Sequence, residues 1–147
     1  SEDTKEHRNI RKYLRSYGEK LLRKQQEFAV LLDTIQTNLE EGASPQSQMD
    51  LKEINNTISV INQSFSAINR GVTSTIAKTD DRTRLHKELQ DISKQLQQLA
   101  PLRTISEERI TNHRLAQQQV TLLKRGITVR TQLLETLLRD LDGVSQS

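Results

Sequence analysis

The sequence has no cysteine and no tryptophan, and its only aromatic residues are two tyrosines and two phenylalanines. Without cysteine there are no disulfides and no thiolate metal sites. A small secreted domain with so thin a core normally relies on such staples, so the composition points to a reducing, intracellular or cytoplasmic setting. Long apolar runs are also missing. No stretch of about 20 apolar residues occurs, and no segment is expected to span a membrane. Proline appears twice and glycine five times in 147 residues, too sparsely for a loop-rich fold. Apolar residues make up 33 % of the chain and charged ones 28 %. That is too little apolar material for a thick core, yet enough for narrow seams between long helices. The length fits one domain over 1–147.

What the chain does have is periodicity. Ile10, Leu14, Tyr17, Leu21, Phe28, Leu31 and Ile35 recur in steps of three and four, skipping Lys24. This spacing places them on one stripe and predicts a first helix over 4–41, stopped by Gly42. Ser44-Pro45 reads as the cap and first position of a second helix. Leu51, Ile54, Ile58, Ile61, Phe65, Ile68 and Val72 keep the rule, and Leu85, Leu89, Ile92, Leu96 and Leu99 resume it after a weak stretch. We read residues 45–100 as one continuous helix. The alternative is a break near 79–82, with an aspartate capping a further helix.

Ala100-Pro101 ends this segment, because the residue before proline avoids the helical region. Thr104-Ile-Ser-Glu107 reads as a capping box opening a last helix over 105–142. Its stripe is Ala116, Val120, Leu123, Ile127, Leu134, Leu137 and Leu141, widened by Leu122, Leu133 and Leu138. His113 and Arg130 fall on the same line. Asp142-Gly143 closes the helix before a serine-rich end. The expected fold is all-α, an antiparallel bundle or rod of three long helices, or four with the break, packed like a coiled coil. Short loops would oppose residue numbers summing to about 88 for the first pair and about 205 for the last. Gly18 and Gly71 then fall at nearly one height, where helices could approach closely.

The last segment, with Ile110 and the line from Leu123 to Leu138, is generically similar to the third helix of a spectrin-type repeat. The tryptophans typical of that family are absent here. The resemblance implies a helical bundle and no particular activity.

Catalytic chemistry finds no footing. There is no HExxH, no glycine-rich phosphate loop and no nucleophile elbow. His7, His86 and His113 stand alone, without a ligand-type residue three or four positions further on. The expectation is therefore no enzyme, no metal and no cofactor.

Two surfaces are candidates for binding. Residues 5–24 carry Lys5, Arg8, Arg11, Lys12, Arg15, Lys20, Arg23 and Lys24 against Glu6 and Glu19. Arg8, Arg11, Lys12 and Arg15 form a candidate basic surface for anionic lipid or an acidic protein. Nucleic acid is disfavoured, because only Tyr13 and Tyr17 are near for base stacking and Tyr17 belongs to the seam. A solvated charged face is the plainer alternative.

The other surface is a gap in charge. From Ile54 to Asn69 no residue is ionisable, and Asn, Ser, Thr and Gln replace the Lys and Glu of an ordinary exposed helix. Such a helix is expected to be covered on more than one side, by its own chain or by a partner. Ser59, Asn62, Ser66 and Asn69 follow one flank and are the candidate partner-binding residues. The functional expectation is a non-catalytic scaffolding or protein–protein interaction module, part of a larger complex or longer rod. Its partners would be helical proteins or further copies of itself. The alternative is a peripheral membrane or acidic-surface binder acting through the basic face.

Overall fold

The computed structural model describes residues 5–144. Residue 4, the serine-rich end and the side chain of His7 lie outside the described residues. The chain forms α1 (Lys5–Glu40), α2 (Pro45–Gln48), α3 (Leu51–Lys78), α4 (Arg84–Gln98) and α5 (His113–Val144), with a 3-10 turn at Glu107–Ile110. No strand occurs among the described residues, so the all-α class holds. None of these helices is long and apolar enough to cross a membrane.

Several helix ends follow the local chemistry. Gly42 adopts φ 95°, the left-handed conformation that ends α1, and Ala43 N–H closes onto the Asn38 carbonyl. The Ser44 hydroxyl accepts from Ser47 N–H, and Pro45 begins α2. The expected second helix is nevertheless not one piece. α2 lasts four residues, Met49 is extended and buried, and Asp50 opens α3 by accepting from Glu53 N–H at 3.3 Å.

A second break separates α3 from α4, where we expected continuity. Asp80 accepts Arg82 N–H on its side chain and Thr83 N–H on its carbonyl. The Thr83 hydroxyl then accepts from His86 N–H as the cap of α4, while Thr79 Oγ1 lies 2.9 Å from His86 Nδ1. Side chains that satisfy the backbone locally compete with the helix, and here they prevail. The cap is the threonine, not an aspartate.

Pro101 does end the α4 segment, but the expected capping box does not form. Thr104 opens no helix: residues 104–106 are non-helical, and only the 3-10 turn at Glu107–Ile110 follows, without a side-chain cap bond from Ser106. Asn112 is what opens α5, accepting from Arg114 and Leu115 N–H. At the far end α5 runs through Asp142-Gly143 to Val144, past the expected stop.

The chain divides into two compact units. Unit 1 is Ser1–Arg23, Gln63–Ala100 and Gln132–Ser147, and unit 2 is Lys24–Asn62 and Pro101–Thr131. In unit 1, Gly71 of α3 faces Leu14 of α1: a Cβ at that glycine would come within 2.6 Å of the leucine methyl. Gly18 faces Leu138 of α5, and Arg15 pairs with Asp142 at 2.6 Å. Numbers rise on α1 as they fall on α5 (15 against 142, 18 against 138), so these two helices run antiparallel here. Residues 99–112, with only the 3-10 turn among them, join α4 to α5, so the expected short turn near 102 is a long connection.

In unit 2, α1 and α5 are cross-linked by polar groups. Lys124 reaches both Asp33 and Gln36, and the fully buried Gln25 donates to Thr131 Oγ1 at 3.3 Å. The buried stripe of α1 is Arg11, Leu14, Gly18, Leu21, Gln25, Phe28, Leu32, Ile35 and Leu39. It alternates three and four without a slip. Leu32 is buried where we expected Leu31, and Lys24 is exposed beside the seam. On α5 the stripe includes Arg130, whereas Leu122 is exposed instead of widening it.

Candidate protein-interaction site

An extended segment crosses the uncharged stretch of α3 and takes up two of its polar side chains. Residues 99–106 belong to no helix, and both ends have extended dihedrals, Leu99 with φ −73° and ψ 117°, Ser106 with φ −88° and ψ 155°. An extended segment cannot satisfy its own backbone. In unit 2 two asparagines of α3 do so. Asn62 Nδ2 donates to the Leu102 carbonyl and Asn62 Oδ1 accepts from Leu102 N–H, both at 2.9 Å. Asn55 does the same with Ile105, at 2.8 Å in each direction.

The spacing has a simple origin. Seven residues of α-helix advance about 10.5 Å. Three residues of polyproline-type chain advance about 9.3 Å. A rung every seventh residue of α3 thus meets every third residue of the strap. Asn69 stands seven residues further along α3, in unit 1, with its Oδ1 buried and without a partner.

Side chains add to the clamp. Ile105 is buried, and Leu102 lies over Gly126 of α5, where a Cβ would come within 2.5 Å of its methyl. One turn on, the buried Arg130 donates from Nη1 to the Gly126 carbonyl at 3.1 Å, and burial lowers its pKa from the ordinary value.

The candidate partner-binding residues therefore divide. Asn62 is committed to its own chain, and Asn69 is half-buried. Ser59 and Ser66 are exposed, and Val60 beside them is 40 % exposed. The asparagines at 55 and 62 also open the two glycosylation-type triplets in this stretch, and their side chains are taken up by the strap. Sequence reading missed Asn55. The signal available was the recurrence of asparagine at 55, 62 and 69.

The candidate basic surface divides too. Arg8 and Lys12 are exposed, Arg11 is buried in the α1 stripe, and Arg15 is paired with Asp142. Arg11 therefore stands apart from Arg8, Lys12 and Arg15, which keep at least part of their side chains exposed. Among the described residues no group of three or more histidine, aspartate or glutamate side chains gathers in a metal-holding arrangement. A depression bordered by Asp50, Lys52, Glu53, Asn56 and Thr57 is widely open to solvent.

The chain matches no family model, and the searches of curated proteins and of solved structures gave no match.

Proposed function

We propose that the chain is a non-catalytic interaction module, a helical bundle that receives a helical partner on the free flank of α3. What supports this reading is one observation: Ser59, Val60 and Ser66 are exposed on a helix that carries no charge from Ile54 to Asn69. One flank of that stretch is buried through Ile54, Ile58, Ile61, Phe65 and Ile68, and Asn55 and Asn62 hold the strap. The remaining flank has the composition of a covered surface without a cover from its own chain. A solvent-facing helix would ordinarily bear lysine and glutamate there.

The test is the double substitution Ser59→Glu with Ser66→Glu. Because both serines are exposed, the variant is expected to melt within about 0.5 kcal/mol of the parent. Self-association by sedimentation velocity, and binding of helical partners by the full chain, should be lost. A variant that keeps every interaction of the parent would make this flank plain surface. The second reading, binding to anionic lipid or an acidic surface, retains Arg8 and Lys12. It calls for liposome binding that falls with salt and with Arg8→Glu and Lys12→Glu.

A further inference from the structure

α5 carries a second row that its own chain leaves bare. Leu115, Leu122 and Val129 recur every seven residues, lie within unit 2, and are 41 %, 58 % and 49 % exposed. Singly exposed apolar residues are ordinary, but three at heptad spacing line up along one helix. The reason they are bare lies in the strap. The next member of the row, Thr136, is half-buried in unit 1, the unit that contains α4, and Leu133, one turn past Val129 on the neighbouring row of Gly126, is buried there. Unit 2 has an extended segment in place of a fourth helix, and a single extended chain is narrower than a helix about 10 Å across.

Along α5 itself the row is accompanied by one sign of charge, the nearest acids before it being Glu107 and Glu108 of the 3-10 turn. From Arg109 to Leu134 the sequence contains Arg109, Arg114, Lys124, Arg125 and Arg130 and no acidic residue at all. Lys124 is engaged with Asp33, and Arg130 is buried. Arg114 and Arg125 are exposed on the helix that bears the row, and Arg103 is exposed on the strap next to Leu102, which lies over Gly126. We infer that this face docks an acidic amphipathic helix of another protein, with apolar residues seven apart set against Leu115, Leu122 and Val129 and carboxylates towards Arg103, Arg114 and Arg125. A second copy of this chain would bring the same cations to the contact and be repelled. A bilayer calls for a broad apolar face with bulky aromatic anchors, and this row is one residue wide between Gln118, Gln119 and Thr121. The α3 flank plays no part in this contact.

The test uses the full chain and a fluorescent synthetic helix of three heptads, with leucine on its seam and glutamate beside it. A control peptide carries lysine for each glutamate. The acidic peptide should bind and the basic one should not, and binding should weaken as salt rises. Leu115→Ser with Leu122→Ser should raise Kd by about tenfold or more. Both side chains are exposed, so the variant should keep the parent's circular dichroism melt, and Ser59→Glu with Ser66→Glu should leave the peptide Kd unchanged. Arg125→Glu should weaken the acidic peptide and admit the basic one. The inference is overturned if neither peptide binds or if both bind alike. It is equally overturned if Leu115→Ser with Leu122→Ser abolishes self-association, or abolishes binding to vesicles of phosphatidylserine and phosphatidylcholine in equal parts.

Discussion

Asn62→Ala isolates what the strap is worth. The substitution removes both bonds to Leu102 and leaves a main-chain N–H and C=O without their partner. Each such group costs about 1–2 kcal/mol when water can partly reach it. Alanine in place of asparagine returns about 0.6 kcal/mol of helix propensity to α3. The expected net loss is about 1.5–3 kcal/mol in urea melts of the full chain. Ser59→Ala, three residues away and exposed, is the control and should stay within about 0.5 kcal/mol. Amide exchange at Leu102 should accelerate in the Asn62 variant while Ile58 and Ile61, both buried in α3, keep their protection. Asn62→Asp sharpens the test. It keeps an acceptor for Leu102 N–H but sets a carboxylate against the Leu102 carbonyl. The folded state therefore favours the protonated form, which can donate, and the deficit relative to the parent should be largest at neutral pH and shrink as pH falls through the carboxylate range. An Asn62→Ala variant no less stable than Ser59→Ala, with unchanged exchange at Leu102, would refute the reasoning.

Other outcomes follow from the same contacts. Gly126→Ala should gain about 1 kcal/mol, the helix preference, in a Leu102→Ala background and less in the parent, where the leucine methyl at 2.5 Å must shift; a double-mutant cycle measures the difference. Leu134→Ala, at a site 1 % exposed, should cost about 2–4 kcal/mol in urea, and the exposed Arg8→Ala no more than about 0.5 kcal/mol. Burial, with Glu88 adding to it, raises the Asp140 carboxyl above its usual 3.8 against the opposing pull of Arg139 and Arg84. A raised acid supports the folded state while protonated, and this support is lost as pH rises through the folded-state value. Asp140→Asn should thus melt above the parent at pH 7 and level with it near roughly pH 3.

The parts of this fold that can be read in sequence are those settled within one or two turns of chain. Gly42, Ser44-Pro45 and Pro101 mark boundaries because their backbone limits act locally. The stripes of α3 and α5 stand out because their positions are filled by isoleucine, leucine and phenylalanine. The α1 stripe is harder, since Arg11, Gly18 and Gln25 occupy one heptad position of the seam. With those places polar or empty, Leu31 fits a line through Lys24 as well as Leu32 fits the true one. The breaks at 49–50 and 79–83 were obscured because heptad spacing resumes beyond them. The strap is the least legible element. Its bonds join residues 40 and 50 apart in sequence, and nothing in Pro-Leu-Arg-Thr-Ile says that asparagine amides will receive it. The uncharged stretch singles out the part of α3 that the strap meets, although nothing in it says that Asn55 and Asn62 will hold extended backbone.

The clamp of Asn55 and Asn62 also sets how this segment can vary. Both asparagines hold main-chain atoms, which every residue possesses, and only Leu102 and Ile105 are tied by their side chains. Arg103 and Thr104, both exposed, can therefore drift in identity without disturbing either rung. Their number cannot drift. One inserted residue would push the second rung about 3 Å off its asparagine, and one deletion would leave it as far short. Related chains should accordingly tolerate many letters at these two positions, and no change of length between them.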